Sequence, residues 1–104
     1  MRNDEAQRYE ARSDGEVVGF AEFETTDTRI VFTHTVVEPR AEGHGVGSAL
    51  ARFALDDVRR DGSRRVVPRC PFFRRWINDH AEYQDLLRGS RLPESNPETK
   101  EGTP

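Results

Sequence analysis

A short glycine-rich turn is the part of this sequence whose residue types and spacing best fit ligand chemistry. It reads Arg40-Ala41-Glu42-Gly43-His44-Gly45-Val46-Gly47 and lies between a β-branched segment and an amphipathic one. Alternating glycines let the backbone turn sharply and let a ligand approach closely. A helix that follows such a turn presents unpaired amides and the positive end of its dipole, which together favour an anion such as phosphate. Arg40 can add positive charge at the rim.

The glycine-rich turn also fits interpretations other than this anion site. A glycine-rich loop can simply connect a strand to a helix. No Gly-Lys-Ser/Thr follows the glycines, so the turn is not a P-loop. Its G-x-G-x-G spacing also differs from the G-x-G-x-x-G fingerprint of dinucleotide-binding folds. The turn therefore predicts either an anion site of another kind or a plain connection.

Two side chains outside the turn have reactive groups. Cys70, the single cysteine, lies between a predicted strand and a predicted helix. A helix N-terminus can favour the thiolate, although a buried cysteine that only packs is an equally good interpretation. His34, on the strand before the turn, is a candidate base or a half-buried histidine with a backbone partner. One cysteine excludes an intramolecular disulfide and a cysteine-based zinc finger, and no metal site is predicted.

Periodicity predicts the elements that position these residues. Ser13-Asp14-Gly15-Glu16 is typical of a tight turn and predicts a hairpin. Pro68 removes a ladder bond, so its strand should lie at an edge, a bulge or a splayed end. A break is expected in the last helix near Asp79-His80. The predicted strands cover 8–12, 17–24, 29–37 and 64–70, and the predicted helices cover 46–60 and 72–87.

The element order predicts an α/β fold of the α+β type. Three strands form an antiparallel meander, and a βαβ unit and a C-terminal helix follow in one mixed sheet. Strands 29–37 and 64–70 should be parallel, with a right-handed crossover. Ligands of such units bind at the carboxyl ends of the strands. Here those ends are 37–47 and 70–73.

Length and composition bound the class of protein. The 104 residues fit one domain, with a folded part over 1–88 and a disordered, proline-containing tail over 89–104. A net charge of −3, with the arginines interpreted as scattered among acids, does not favour a nucleic-acid partner. Met1–Gln7 has no apolar signal-peptide core, and no window reaches the length of a membrane span. A cytoplasmic location without a membrane partner is expected.

Four segments in order resemble one protein family. Arg40-x-x-Gly43-x-Gly45 is similar to the R/Q-x-x-G-x-G/A turn of the GNAT superfamily of N-acetyltransferases, most of all to its minimal single-domain branch. Thr33-His34-Thr35, Val66–Phe72 and His80-Ala81-Glu82-Tyr83 resemble further motifs of that branch, and the likeness spans residues 8–88. Ala81 departs from the usual Pro. The superfamily's first strand and first two helices, which normally shape the acceptor site, have no counterpart here, so few elements precede the turn.

The resemblance implies acetyl-coenzyme A as the bound cofactor. Its pantetheine arm would run between strands 29–37 and 64–70 and pair with the backbone of Val36 and Val37, where an N–H could stabilise the oxyanion of acyl transfer. Phe72, Phe73 and Arg74 would line the cofactor from the other side, and Cys70 would contact it. The amides that would cradle the pyrophosphate are those of Glu42, Gly43, His44, Gly45, Val46, Gly47 and Ser48.

The resemblance also implies acetyl transfer to an amine, carried by a small molecule or a protein. Cys70 could accept the acetyl group or only touch the cofactor, and His34 could act as the base. Tyr83 could protonate the departing thiolate, a role that GNAT enzymes often give to a tyrosine, or it could pack against Leu86 and Trp76. A non-catalytic module that binds coenzyme A, and a phosphate-binding protein unrelated to coenzyme A, are the alternatives.

Overall fold

Five strands and two α-helices make up the part of the chain that the structure, a computed structural model, describes, which is residues 1–88. The predicted tail over 89–104 lies outside the described residues. Short 3₁₀ helices cover Pro39–Ala41 and Ala81–Arg88. The strands are β1 (Arg2–Asn3), β2 (Arg8–Ser13), β3 (Glu16–Thr25), β4 (Arg29–Val37) and β5 (Arg65–Pro68), and the helices are α1 (Val46–Asp61) and α2 (Pro71–Asn78).

The strands form one mixed sheet in the order β1-β2-β3-β4-β5. Neighbours from β1 to β4 are antiparallel, whereas β4 and β5 are parallel and joined through α1. The predicted meander and βαβ unit are therefore confirmed. The last helical segment is interrupted at Asp79-His80, as expected, so that a 3₁₀ helix follows α2.

The sheet opens between β4 and β5. Their last paired residues are Phe32 and Pro68, and the N–H of Cys70 then donates to the Phe32 carbonyl at 2.9 Å. Beyond that point β5 has ended, while β4 continues to Val37. The space beside β4 from Thr33 to Val37, where β5 no longer pairs with it, is called the β4–β5 gap below. A βαβ unit binds ligands at this end of its strands.

A β-bulge in β4 decides which side chains face the helices. Glu22 pairs with His34 and Phe23 pairs with Phe32, so Thr33 is an extra residue on β4. Because an extra residue reverses the alternation of the side chains that follow, Thr35 lies beside the buried Ala21 on the helix face. His34, beside Glu22, points to the opposite face of the sheet.

One hydrophobic core lies between the sheet and the helices. α1 and α2 pack on the same face, and the rings of Phe32 and Phe73 stack there with centroids 4.2 Å apart. Tyr9 is fully buried in the same cluster and contacts the rings of Phe23 and Phe32. This core fixes α1 and α2 on either side of the β4–β5 gap.

Two details differ from the expectation. The polar N-terminus contains β1, a two-residue strand held to β2 by the backbone bond from the Glu10 N–H to the Met1 carbonyl, 2.7 Å long. β5 covers four residues instead of seven, because the Arg69 N–H turns back to the Val67 carbonyl at 3.2 Å and does not continue the ladder to β4. None of the helices within residues 1–88 combines the length and the hydropathy needed to cross a membrane.

Candidate functional site

The glycine turn lies where the sequence analysis placed it, between β4 and α1. Gly43 and Gly45 have φ values of +84° and +77°, a left-handed conformation that glycine adopts without strain. A Cβ atom at either position would meet no heavy atom within 4 Å. The backbone angle, and not crowding by neighbouring protein atoms, therefore requires glycine at both places.

The N-terminus of α1 is open to an anion. Gly45 occupies the N-cap position without a side chain to cap it, and the first turn holds no acidic residue. The first bond of the helix runs from the Ala49 N–H to the Gly45 carbonyl, at 2.9 Å. The amides of Val46, Gly47 and Ser48 thus have no intrahelical partner, and the helix dipole makes this end positive.

A cavity of about 350 Å³, called the turn cavity below, lies against these amides. Phe72 closes one side of it, and a Cβ atom at Gly47 would stand 3.0 Å from the Phe72 ring. Gly47 therefore lets the ring of α2 approach the start of α1. The predicted residues that line the turn cavity are Val37, Glu42, Gly43, Gly45, Val46, Gly47, Ser48 and Phe72.

The backbone of β4 offers hydrogen-bonding groups to the gap at alternate residues. The Glu38 N–H donates to the Val18 carbonyl at 2.9 Å, so the alternation of an antiparallel ladder directs the polar groups of Val36 toward β3. The groups of Thr35 and Val37 are directed into the gap. The backbone groups of Val37 face the gap, as predicted, but those of Val36 do not. The Val36 side chain is exposed on the face of the sheet opposite the helices. Thr35 takes its place.

Cys70 lies at the inner end of the gap. Its thiol donates a hydrogen bond to Thr35 Oγ1 at 3.1 Å, and its side chain is 5% exposed. It also occupies the N-cap position of α2. The thiol therefore borders the space between β4 and β5, at the carboxyl edge where the sequence placed it.

The structure does not bring His34 to the same face as the thiol. Neighbouring side chains of a strand point to opposite faces, and Thr35 faces Cys70. His34 therefore lies across the sheet from Cys70, exposed to solvent and beside Glu22. It borders the gap from the side opposite the helices.

The position of Tyr83 does not fit a proton donor at the gap. Its hydroxyl donates to Asp56 Oδ1 at 2.7 Å, and the pKa of the phenol is raised by burial and by this carboxylate. Asp56 lies eight residues after Ser48, about 12 Å farther along α1. Tyr83 also packs against the Trp76 ring, which is the alternative considered for it.

Four other predicted cofactor residues lie outside the turn cavity. Phe73 is fully buried against Phe32, so it belongs to the core. The guanidinium of Arg40 donates to Glu16 at 2.7 Å and to Glu38 at 2.8 Å, and these bonds raise its pKa. Arg40 and His44 line a neighbouring cavity of about 390 Å³, whereas Arg74 lines a third cavity on the far side of α2.

Sequence reasoning missed the contact that ties the two helices together beside the site. Trp76 Nε1 donates to Ser48 Oγ at 3.0 Å. A buried indole N–H needs a partner, but no local pattern says that the partner is 28 positions away. Within residues 1–88, no cluster of three or more His, Cys, Asp or Glu side chains is arranged to hold a metal ion.

A mixed sheet whose fourth and fifth strands separate beside a glycine turn defines a GNAT-like α+β fold. The sequence model of a family described as GCN5-related N-acetyl-transferase matches residues 8–86, and the chain therefore belongs to that family. The membership suggests an acyltransferase activity. None of the curated proteins matches the chain.

Proposed function

We propose that this protein transfers an acetyl group from acetyl-coenzyme A to an amine. The observation that carries the proposal is the open N-terminus of α1, which borders the turn cavity and leads along Val37 into the β4–β5 gap. A phosphate-bearing cofactor with an extended, amide-containing arm suits this combination of an anion site and a free strand edge.

The residues of the site fit such a cofactor. The uncapped amides of Val46, Gly47 and Ser48, together with the positive-φ glycines, would hold the pyrophosphate. The backbone groups of Thr35 and Val37 would pair with the pantetheine amides. When bound, acetyl-coenzyme A supplies an activated thioester, and an N–H of β4 directed into the gap would stabilise negative charge on its carbonyl oxygen.

The placement of the reactive side chains favours direct attack by the acceptor amine. Thr35 accepts the hydrogen bond of the Cys70 thiol, but a threonine hydroxyl is not a base that could activate a nucleophile. Cys70 would therefore line the space around the thioester without attacking it. An amine that enters from the face opposite the helices would meet His34, whose imidazole can take up its proton.

A binding module without turnover is the second candidate. The observation that favours it is the separation of the reactive groups: Tyr83 is bonded to Asp56, and His34 lies across the sheet from Cys70. A protein that holds coenzyme A or acyl-coenzyme A needs the turn cavity and the gap only.

Thermal unfolding with coenzyme A tests the binding that both candidates share. At 100 times its dissociation constant, a ligand stabilises a fold by roughly 2.7 kcal/mol, which should raise the midpoint of a domain this small by about 10 °C. Inorganic phosphate at the same concentration is the control. An unchanged midpoint at millimolar coenzyme A would contradict the proposal.

Thiol release separates the two candidates. Acetyl-coenzyme A is incubated with the protein and a mixture of small amines and lysine peptides, and free coenzyme A is measured together with the acetylated amine. Formation of both in equal amounts supports the transferase. Binding of acetyl-coenzyme A without formation of either product would support the binding module.

A further inference from the structure

A groove of about 580 Å³ lies on the side of α2 that faces away from the turn cavity, and we call it the α2 groove. It runs between the end of β5, α2 and the 3₁₀ helix Ala81–Arg88, and it shares no lining residue with the turn cavity. Apolar side chains of Pro68, Pro71, Ile77 and Leu87 form part of its lining. Its volume is typical of clefts that take a ligand.

Three arginines also line the α2 groove, on two different walls. Arg74 and Arg75 belong to α2, and Arg88 ends the 3₁₀ helix. Within residues 1–88, none of them forms an ion pair with a carboxylate, whereas Arg2, Arg8, Arg12, Arg40, Arg59, Arg60 and Arg64 all do. Asp85, on the same 3₁₀ helix as Arg88, is held by two bonds from Arg59.

Charge is also unevenly distributed along the sequence, which corrects the expectation that arginines are scattered among acids. Residues 62–78 contain five arginines, and all 19 Asp and Glu residues of the chain lie outside this segment. A protein with a net charge of −3 thus has a locally positive surface around α2. Such a surface attracts a partner of opposite charge.

The groove is formed before any ligand arrives. The side-chain amide of Gln84 donates to the Ile77 carbonyl at 3.3 Å and to the Asn78 carbonyl at 3.2 Å, which ties the 3₁₀ helix to the end of α2. Leu86 is fully buried and anchors the same helix in the core. Because both walls are fixed, a ligand need not order them on binding.

We propose that the α2 groove binds an acidic segment of a partner protein. Guanidinium groups on two walls match carboxylates spaced along a peptide, each of which can accept two parallel bonds. The proline and aliphatic lining suits an apolar side chain of the same segment, and it offers no aromatic ring on which a nucleic-acid base could stack. This site goes beyond the proposed acetyl transfer and does not depend on it.

Fluorescence anisotropy with a labelled peptide tests the proposal. The probe repeats Glu-Leu-Glu-Glu three times, and its counterpart carries Gln at every Glu. We expect the acidic probe to bind the full chain and to weaken with added salt. The double variant Arg75→Glu/Arg88→Glu should bind it at least tenfold more weakly. The matched control is Arg29→Glu, which lies at the start of β4 and pairs with Arg65, at the end of the β4–β5 ladder opposite to Pro68. It should change the affinity less than twofold.

Several outcomes would overturn the acidic-segment assignment. Equal binding of the Gln probe, or equal affinities of the double variant and the control, would show that the arginines do not recognise carboxylates. Tighter binding of a single-stranded oligonucleotide would assign the surface to nucleic acid. Displacement of the probe by saturating coenzyme A would assign these arginines to the cofactor. Thermal midpoints of all variants verify that each is folded, and Arg75→Gln/Arg88→Gln replaces the charge reversal if it is not.

Discussion

The Cys70 thiol and the Thr35 hydroxyl are 3.1 Å apart, and this hydrogen bond spans the point at which β4 and β5 separate. It joins the residue that precedes α2 to the part of β4 that has no partner in β5. The side chain of Cys70 is nearly buried, so a reagent reaches the sulfur through the gap. Any ligand that fills the gap must therefore cover the thiol.

The first prediction concerns the reactivity of Cys70. Saturating coenzyme A should slow alkylation of the thiol at least several-fold, because the pantetheine arm would occupy the gap. The same concentration of inorganic phosphate should leave the rate unchanged. Mass spectrometry of the iodoacetamide adduct gives the rate. Equal alkylation rates with and without coenzyme A would contradict this prediction and indicate that Cys70 only packs in the core.

The second prediction concerns Gly45→Val. The substituted residue would have to hold a φ of +77°, which costs roughly 1–3 kcal/mol for a branched side chain, and its methyl groups would occupy space at the α1 amides. We expect a folded but less stable domain that no longer binds coenzyme A in a calorimetric titration.

Gly15→Val is the matched control for that substitution. Gly15 has a φ of +82° and equally open surroundings, but it lies in the hairpin between β2 and β3. Its substitution should lower stability by a similar amount and leave the affinity for coenzyme A unchanged. If Gly45→Val bound as tightly as Gly15→Val, the phosphates would have to lie elsewhere.

The third prediction separates a structural from a catalytic Tyr83. Tyr83→Phe removes one hydrogen bond to Asp56 and should lower the free energy of unfolding by about 1 kcal/mol, with no change in acetyl transfer. Tyr9→Phe is the matched comparison, because the Tyr9 hydroxyl donates to Asp57 at the same 2.7 Å. Urea denaturation and turnover are measured for both. A loss of turnover in Tyr83→Phe alone would restore the role of proton donor.

The fourth prediction concerns acid stability. Hydrogen bonds from Arg12 and Arg8 lower the pKa of the buried Glu10 from its ordinary 4.5 to about 2. Since the folded state has the lower pKa, the stabilisation is complete above the ordinary value and is lost as the pH falls toward 2.

Urea midpoints between pH 7 and pH 2.5 test this prediction. The wild-type midpoint should fall over the acid part of the range, and Glu10→Gln should be less stable at pH 7 and flatter below pH 5. Glu24→Gln, at an exposed position of β3, should retain the wild-type profile. Parallel profiles for wild type and Glu10→Gln would show that Glu10 does not carry the effect.

Local patterns predicted the features that depend on neighbours in sequence. The glycines of the turn, the stripe of α1 and the β-branched run of β4 each determine structure over a few residues. The turn cavity could therefore be anticipated almost residue by residue. The bulge at Thr33 could not, because the segment 29–37 is β-branched or aromatic nearly throughout and gives no sign of where the alternation reverses.

Some predicted site residues lie apart from the turn cavity and the thiol because of that bulge and of contacts between distant parts of the chain. Reversed alternation turned the side chain of His34 to the face opposite the thiol and directed the backbone groups of Val36 toward β3 instead of the gap. Tyr83 is bonded to a residue 27 positions away, and Phe73 stacks on Phe32 from a different element. Such partners are chosen by packing of the whole domain, and the periodicity of one segment carries no information about them.

The hydrogen bond between Trp76 and Ser48 allows binding at the α1 N-terminus to be followed by intrinsic tryptophan fluorescence. Trp76 is the only tryptophan of the chain, and its indole N–H is tied to the first turn of α1 while its ring stacks on His80 at 3.7 Å. An anion that engages the Ser48 amide would alter the polarity around that single indole. Tryptophan emission of the native protein can therefore be followed during a titration without a label, and all of that emission comes from one known position.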